Sequence, residues 1–289
     1  HLVPRLFAGA PLDEVAGHPM AKAALRMATT DAALRDRGVS LATHLGGART
    51  HVPVGVVVER YDDPERAADV AEAHVAEGYR RIKLKIAPGA DVAHVDAVRR
   101  RIGRNVALWA DANGAYSPAD VDTLAALDVD LLEQPLRAGD LLDHAALVGR
   151  IPAAVCLDES IETFDDARMA IHVRAADALT VKPGRIGGID QAVALHDLCR
   201  EHAMPLWCGG MLETGIGRAA NLALASLPGF TLPGDISASR RYVARDITEP
   251  FELEPDGTIA VPNGAGLGVT VDEEHVAAIT VRREVLRPS

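Results

Sequence analysis

Residues 82–184 contain five short apolar runs that each carry an ionisable residue at or near their end: IKLKI (82–86), ALWADAN (107–113), DLLEQP (130–135), AVCLDES (154–160) and LTVKPG (179–184). Those ionisable residues are separated by steps of 26, 22, 25 and 24 residues: Lys85, Asp111, Glu133, Asp158 and Lys182. Each step has room for one strand and one helix, which together make a βα unit. The spacing therefore predicts that all five residues occupy the same place in a repeated unit, the carboxyl end of a strand.

The alternation of strands and helices extends well beyond these five runs. Eight apolar segments are predicted as strands, at 52–59, 82–86, 106–111, 128–134, 153–159, 176–182, 205–210 and 230–236. Strands that alternate with helices favour a parallel α/β fold, and eight units favour a closed (β/α)8 barrel of the TIM type, in which the carboxyl ends of the strands meet at one mouth. The alternative is an open doubly wound sheet, which would bind a ligand at one switch point instead of using five successive strand ends.

The chain on either side of the barrel has a different pattern. The segment MAKAALRMATTDAALRDRG (20–38) has apolar residues at helical spacing and ends at a glycine. Near the other end, FELEPDGTIAVP (251–262) predicts a hairpin around its Asp-Gly pair. We therefore predict three parts: a helical lead-in at 1–40, a catalytic barrel at 41–245 and a C-terminal segment at 246–289.

Composition excludes several classes of partner. The net charge is −11, and no basic stripe is visible, so nucleic acid and anionic membrane surfaces are poor partners. No apolar run approaches the roughly 18 residues of a membrane span, and no signal peptide is visible. The three cysteines show no paired spacing, which favours buried thiols in a reducing compartment: Cys156, Cys199 and Cys208. We expect a cytoplasmic protein.

Three of the ionisable residues are carboxylates on consecutive strands. A single acid after a strand is more often a helix cap or a solvated loop residue, but Asp111, Glu133 and Asp158 follow one another on strands three, four and five. Three neighbouring carboxylates repel one another strongly without a cation. Oxygen ligands with no nearby histidine or cysteine select a hard ion, so the prediction is Mg²⁺, with Mn²⁺ as the alternative.

Two lysines flank the carboxylates, and a third lies beside them. Alternation places Lys83 and Lys85 on the same face of one strand, and in a barrel that face is inside. The alternative is an exposed edge strand. Lys182 ends the sixth strand, across the mouth from Lys85. Close positive neighbours lower the pKa of a lysine, as a lysine base near neutral pH requires. The array predicts proton abstraction alpha to a carboxylate, with a metal ion stabilising the developing charge.

The motifs KLK (83–85), DAN (111–113), EQP (133–135), DES (158–160) and KPGRIGG (182–188) resemble the signature set of the enolase superfamily, muconate-lactonizing subgroup. Within it, residues 207–239 look most like the o-succinylbenzoate synthase / N-acylamino acid racemase family. The resemblance implies that Asp111, Glu133 and Asp158 bind Mg²⁺ and that Lys85 and Lys182 are the acid/base pair. It further implies supporting residues and an acyl pocket: Lys83 and Asn113, and Gly209, Gly210 and Met211.

The resemblance also implies a substrate and a domain plan. The expected activity is o-succinylbenzoate synthesis, a dehydration in menaquinone biosynthesis; the alternative is racemisation of N-succinyl or other N-acylamino acids at the same two-lysine site. Members of the family carry an N-terminal α/β capping domain, and residues 1–40 are expected to be the lead-in from a largely missing one. A barrel without its cap could instead be an inactive binding or scaffold protein. The expected partner is a small carboxylate, and a homo-oligomer is left open.

Overall fold

A computed structural model describes residues 2–285. Seven parallel strands form one sheet in chain order, and two further strands pair outside it. The nine strands are β1 (His51–Pro53), β2 (Val56–Val58), β3 (Arg81–Lys85), β4 (Ala107–Asp111), β5 (Leu131–Glu133), β6 (Ala154–Leu157), β7 (Ala178–Val181), β8 (Leu206–Cys208) and β9 (Thr258–Ala260). The sheet runs from β2 to β8 without interruption, as the βα spacing predicts.

A helix follows each strand of the seven-stranded sheet, and three further helices precede β1. The helices are α1 (Leu2–Phe7), α2 (Pro19–Arg37), α3 (Leu41–Leu45), α4 (Pro64–Glu77), α5 (Val92–Ile102), α6 (Val121–Ala125), α7 (Leu141–Leu147), α8 (Phe164–Val173), α9 (Pro183–Ile186), α10 (Ile189–Glu201), α11 (Gly215–Ala225) and α12 (Glu273–Ile279). Short 3-10 turns lie at 12–14, 118–120 and 239–241. Among these helices, none is long and apolar enough to cross a membrane.

The eighth predicted strand, 230–236, is not a regular strand, but it closes the ring. On one side its backbone bonds β8, through Thr231 N to Leu206 O (3.1 Å) and Asp235 N to Cys208 O (3.0 Å). On the other side Gly55 N donates to Gly234 O at 2.8 Å. The neighbouring Pro233 has no N–H to contribute to a ladder, so this segment bonds irregularly. The (β/α)8 barrel is therefore confirmed as a fold, with seven regular strands and one irregular closing segment.

Two other predicted β segments also differ in detail. The first strand, 52–59, is divided around Gly55 into β1 and β2. Only glycine fits at this position, because a Cβ there would lie 2.2 Å from Arg81 Cζ. The turn predicted around Asp256-Gly257 is present, with Glu254 N donating to Thr258 O at 2.8 Å, but it does not continue as a two-stranded hairpin, because β9 pairs antiparallel with β1. The C-terminal segment thus attaches to the start of the barrel, a long-range pairing that the local turn signal did not contain.

The outward and inward faces of the strands contribute to two separate apolar clusters. Outward residues such as Leu84, Leu108 and Leu132 join the apolar core beneath the helices. Inward residues form a separate small cluster inside the ring, made of Trp109, Leu131, Cys156, Ala178 and Trp207. Since side chains alternate along a strand, the next inward position towards each carboxyl end lies above this apolar floor. That is where the ionisable residues occur.

Candidate active site

The five ionisable residues lie at the carboxyl ends of five consecutive strands. Lys85, Asp111 and Glu133 are the last residues of β3, β4 and β5, and Lys85 pairs in register with Asp111, which pairs with Glu133. Asp158 and Lys182 come directly after β6 and β7. Parallel strands in register bring these side chains to one mouth, where the sequence places them.

Lys83 lies deepest in this group and is enclosed by carboxylates. Its ammonium is 2.6 Å from Glu133 Oε2 and 3.4 Å from Asp111 Oδ2, and it also contacts Asp235. Burial alone lowers the pKa of Lys83, but Asp235, Glu133 and Asp111 outweigh it and hold that pKa well above the ordinary value. Lys83 therefore stays charged and acts as a counter-ion, in contrast to a lysine whose pKa is lowered by positive neighbours.

Lys85 lies above Lys83, nearer the mouth, and its side chain is 27% exposed. Its Nζ donates to Asp111 Oδ2 and to Asn113 Oδ1, both at 2.7 Å. Asn113 has a positive φ of 44°, which turns its amide over the mouth, and its Nδ2 donates to Glu159 Oε1 at 2.9 Å. The amine of Lys85 is thus held in place but remains within reach of a bound molecule.

Lys182 has an equivalent place on the other side. Its Nζ donates to Asp158 Oδ2 at 2.7 Å, and its side chain is 12% exposed. Arg185, one turn later, contacts the other carboxylate oxygen and donates to the Asp158 carbonyl at 2.7 Å. Burial raises the pKa of Asp158, but Lys182 and Arg185 outweigh it and lower that pKa below the ordinary value. Asp158 is therefore ionised at neutral pH.

Two glycines beside the mouth lie where there is no room for a Cβ atom. A Cβ on Gly209 would lie 2.6 Å from Lys182 Cε and 2.7 Å from Thr180 Cγ2, so only glycine fits beside this side chain. A Cβ on Gly210 would lie 2.2 Å from the carbonyl oxygen of Asp235. Met211 follows on the rim, where it is 38% exposed. These three residues lie beside the mouth, the place that an acyl pocket would require.

Sequence reasoning missed several residues that support the site. Asp235, in the closing segment, links Lys83 to the buried Arg81, whose guanidinium stacks over Trp109 at 4.4 Å from the ring centroid. Gln134 accepts hydrogen bonds from the backbone of Asp158 (3.0 Å) and of Ser160 (3.1 Å) through its amide oxygen. Arg185 lies within the KPGRIGG motif, but nothing in the neighbouring sequence indicates that its side chain turns back to Asp158.

The small number of lysines in the sequence also points to this site. The chain has 26 arginines but only four lysines, Lys22, Lys83, Lys85 and Lys182. Three of those four lie in the mouth. An arginine is never deprotonated in proteins, whereas a lysine can give up its proton. In a chain that otherwise uses arginine for positive charge, lysines concentrated at one site indicate a requirement for an amine.

The three carboxylates fit a hard divalent cation. Asp111, Glu133 and Asp158 are 2%, 0% and 1% exposed and lie on neighbouring strands, with oxygen as their only donor atom. Within residues 2–285, no three His, Cys, Asp or Glu side chains are already drawn together in a coordinating cluster. Each carboxylate instead forms an ion pair with a lysine or an arginine. A bound cation would share the carboxylates with these side chains.

Proton release should accompany metal binding at this site. Burial, with Asp111 and Asp158 nearby, raises the pKa of Glu133 well above its ordinary value, against the opposing effect of Lys83. A cation binds the ionised carboxylate, so protons compete with it. We expect Mg²⁺ affinity to rise with pH until Glu133 is fully ionised, and then to level off. Calorimetric titration in two buffers of different ionisation enthalpy measures this; the same enthalpy in both buffers, with a pH-independent affinity, would contradict it.

Comparisons with known proteins agree on one family. A family model described as "Enolase C-terminal domain-like" matches residues 65–275. An N-succinylamino acid racemase of Amycolatopsis sp is 51% identical over 270 residues, covering 92% of this chain and 73% of that protein. An o-succinylbenzoate synthase of Bacillus subtilis (strain 168) is 46% identical over 272 residues, covering 93% and 73%. A solved enolase-superfamily structure from Enterococcus faecalis V583 superimposes with a TM-score of 0.86 at 39% identity, covering 95% and 75%.

Proposed function

The chain belongs to the enolase superfamily, in the family of o-succinylbenzoate synthases and N-succinylamino acid racemases, and from that membership we propose that this enzyme is a Mg²⁺-dependent o-succinylbenzoate synthase. The observation that carries the proposal is the pairing of two amines with two carboxylates on opposite sides of Glu133: Lys85 with Asp111 and Lys182 with Asp158. Such an array can remove a proton from the carbon next to a substrate carboxylate.

The residues have separate tasks in this reaction. Asp111, Glu133 and Asp158 would hold a divalent ion, which would supply electrostatic stabilisation at the substrate carboxylate. The neutral amine of Lys85 takes the alpha proton, and the electron pair of that C–H bond becomes the new double bond. The C–O bond of the neighbouring carbon then breaks, and its oxygen leaves as water with the proton returned by the Lys85 ammonium, which becomes a neutral amine again. Lys182, on the far side, contributes positive charge near the substrate carboxylate as the proton leaves.

Racemisation of N-succinylamino acids is the second candidate function. Lys182 has its own carboxylate partner, as Lys85 has, so each face of a planar intermediate would meet an amine. The relative from Amycolatopsis sp, at 51% identity, carries the racemase name. One array serves both reactions, because both begin with removal of an alpha proton. Assaying each substrate with Mg²⁺ separates the two, and a dehydration rate far below the racemisation rate would contradict the first choice.

Gly209 provides a test of how Lys182 is held. Gly209→Ala is expected to push the lysine stem aside and to lower turnover by about 10²-fold, because small misplacements of a reacting group are costly. Gly184→Ala is the control, since its Cβ would meet only Met20 Cγ, at 3.8 Å. Steady-state rates with saturating Mg²⁺ measure the effect. Equal rates for Gly209→Ala and Gly184→Ala would contradict the placement of Lys182.

We propose that residues 41–245 form the catalytic domain, that 1–40 lead into it from a capping domain and that 246–289 return towards that cap. The described contacts that support this are β9 on β1, and Leu267 packed with Leu34 of α2. Gly209, Gly210 and Met211 are proposed to line the succinyl pocket.

A further inference from the structure

Lys182 lies at the start of a very short helix. It is the N-cap residue of α9, which has only four residues. A single turn is not stable by itself, because its formation fixes several backbone angles for one hydrogen bond. The turn ends at Gly187 and Gly188, which both have positive φ, 92° and 142°. The sheet fixes the chain up to Val181, through β7. The course of the turn beyond it, and with it the orientation of the Lys182 and Arg185 side chains, depends on contacts that hold this turn from outside.

Helix α2 makes those contacts. Arg26 Nη1 donates to the carbonyl oxygen of Gly187 at 2.8 Å. A Cβ on Gly188 would lie 3.2 Å from Arg26 Cδ and 3.8 Å from Ala23 Cα, so the glycine lets α2 come close. Ala23 and Arg26 are three residues apart and share one face of the helix. That face lies against the far end of the turn that begins at Lys182.

The guanidinium of Arg26 is itself fixed in a second direction. Its Nη2 donates to Asp13 Oδ1 at 2.6 Å, and the Arg26 side chain is only 19% exposed. Asp13 belongs to the 3-10 turn at 12–14, just before α2. The planar, forked donor of arginine suits such a link between one carboxylate and one carbonyl. Arg26 thus connects three segments: the turn at 12–14, helix α2 and helix α9.

This connection reaches only one side of the site. Lys182 Nζ and Arg185 both converge on Asp158, so a shift of α9 would move both. Lys85 donates its hydrogen bonds to Asp111, at the end of β4, and to Asn113, in the loop that follows. Loss of the contact from α2 should therefore disturb one base and leave the other in place.

We propose that Arg26 is a positioning residue for Lys182, acting through the carbonyl of Gly187 to set the reach of the lysine into the mouth. The inference rests on the racemase candidate of the proposed function, because only in that reaction does Lys182 take or return a proton. In this proposal helix α2 affects only one of the two proton transfers, the one on the Lys182 face of the substrate.

Exchange of the alpha proton with D₂O measures the two faces separately. The probes are N-succinyl-L-leucine and N-succinyl-D-leucine, with saturating Mg²⁺, followed by proton NMR in the full chain. Lys182→Ala identifies the enantiomer whose proton Lys182 takes, because exchange of that enantiomer is lost. Arg26→Met is expected to slow exchange of the same enantiomer by about tenfold and to change the other by less than about twofold.

Arg35 provides a matched control. It lies on the same helix and has the same kind of partners, with Nε donating to Asp31 Oδ2 and Nη2 donating to the Val269 carbonyl, both at 2.8 Å. Arg35→Met should leave exchange of both enantiomers within about twofold of wild type. Arg26→Lys retains a cation that can reach the Gly187 carbonyl, so it should recover part of the loss. If Arg26→Met does not fold, Arg26→Lys carries the test, with a smaller loss confined to the same enantiomer.

The outcomes separate this inference from the proposed function. Equal losses for both enantiomers in Arg26→Met, or no loss in either, overturn the inference while the two-base mechanism stands. Exchange of neither enantiomer by the wild-type enzyme removes the premise and overturns the inference together with the racemase candidate, but leaves dehydration intact. Exchange of both enantiomers unaffected by Lys182→Ala contradicts the assigned role of Lys182 itself.

Discussion

Replacing Lys85 with arginine is expected to reduce turnover by about 10²- to 10⁴-fold, the typical contribution of a positioned general base. Arginine retains the positive charge and can still pair with Asp111, which now bonds Lys85 at 2.7 Å. It cannot give up its proton, so it cannot accept one from the substrate. The loss therefore measures the need for an amine, separate from the need for a charge. Initial rates of o-succinylbenzoate formation with Mg²⁺ provide the measurement.

Lys22→Arg is the matched control for this change. Lys22 is the one lysine of the chain outside the mouth, and its Nζ contacts the carbonyl of Val15. The same substitution there should leave turnover within about twofold. If Lys85→Arg retained more than about a tenth of the wild-type rate, the base would lie elsewhere. If neither Lys85 nor Lys182 mattered to any measured rate, the whole catalytic hypothesis would fail.

Glu133→Gln is expected to abolish the stabilisation that Mg²⁺ gives to the wild-type protein. The amide keeps the size of the carboxylate but removes the charge that a hard cation requires, together with one of the carboxylates that pair with Lys83. Because the loss of that buried ion pair itself lowers stability, the readout is the difference that Mg²⁺ makes within each protein. With Mg²⁺ at about 100 times the dissociation constant, the wild type should gain about 2.7 kcal/mol and the variant almost none. Thermal unfolding with and without Mg²⁺ shows the difference, and turnover of the variant should fall with metal binding.

Asp246→Asn is the control for a buried carboxylate outside the metal group. Asp246 accepts hydrogen bonds from Gly215 N and Ser239 Oγ, both at 2.8 Å. Its replacement should lower stability with and without Mg²⁺ alike, by about 1–3 kcal/mol, because asparagine keeps only one of the two acceptor oxygens that these buried donors use. The response to Mg²⁺ should persist. A Glu133→Gln protein that Mg²⁺ still stabilises as strongly as wild type would show that these carboxylates do not hold the ion.

The spacing of the sequence was sufficient for the barrel and for the placement of the five ionisable residues. Strand ends in consecutive βα units meet at one mouth whatever the loops do. The inward direction of Lys83 followed from alternation with Lys85, and it contacts Glu133 at 2.6 Å. Local patterns of this kind depend on a strand period of two residues, which tertiary contacts do not change.

What the sequence did not predict depends on contacts between distant segments. Asp235 meets Lys83 only because the irregular segment at 230–236 closes the ring beside β8. The pairing of β9 with β1 joins residues about two hundred positions apart, whereas the turn at Asp256-Gly257 suggested a local hairpin. Arg185 reaches Asp158 because α9 is a single turn. None of these contacts has a periodic or short-range signal.

Proton NMR in D₂O tests the central claim most directly, because both candidate reactions remove the same kind of proton. The enzyme is supplied with N-succinylleucine in one sample and with the hydroxycyclohexadiene precursor of o-succinylbenzoate in another. The signal of the proton alpha to the carboxylate should disappear in at least one sample when Mg²⁺ is present. It should persist after chelation and disappear again when Mg²⁺ is restored. Persistence in both samples with Mg²⁺, or an equal rate of loss without any divalent ion, would contradict the account.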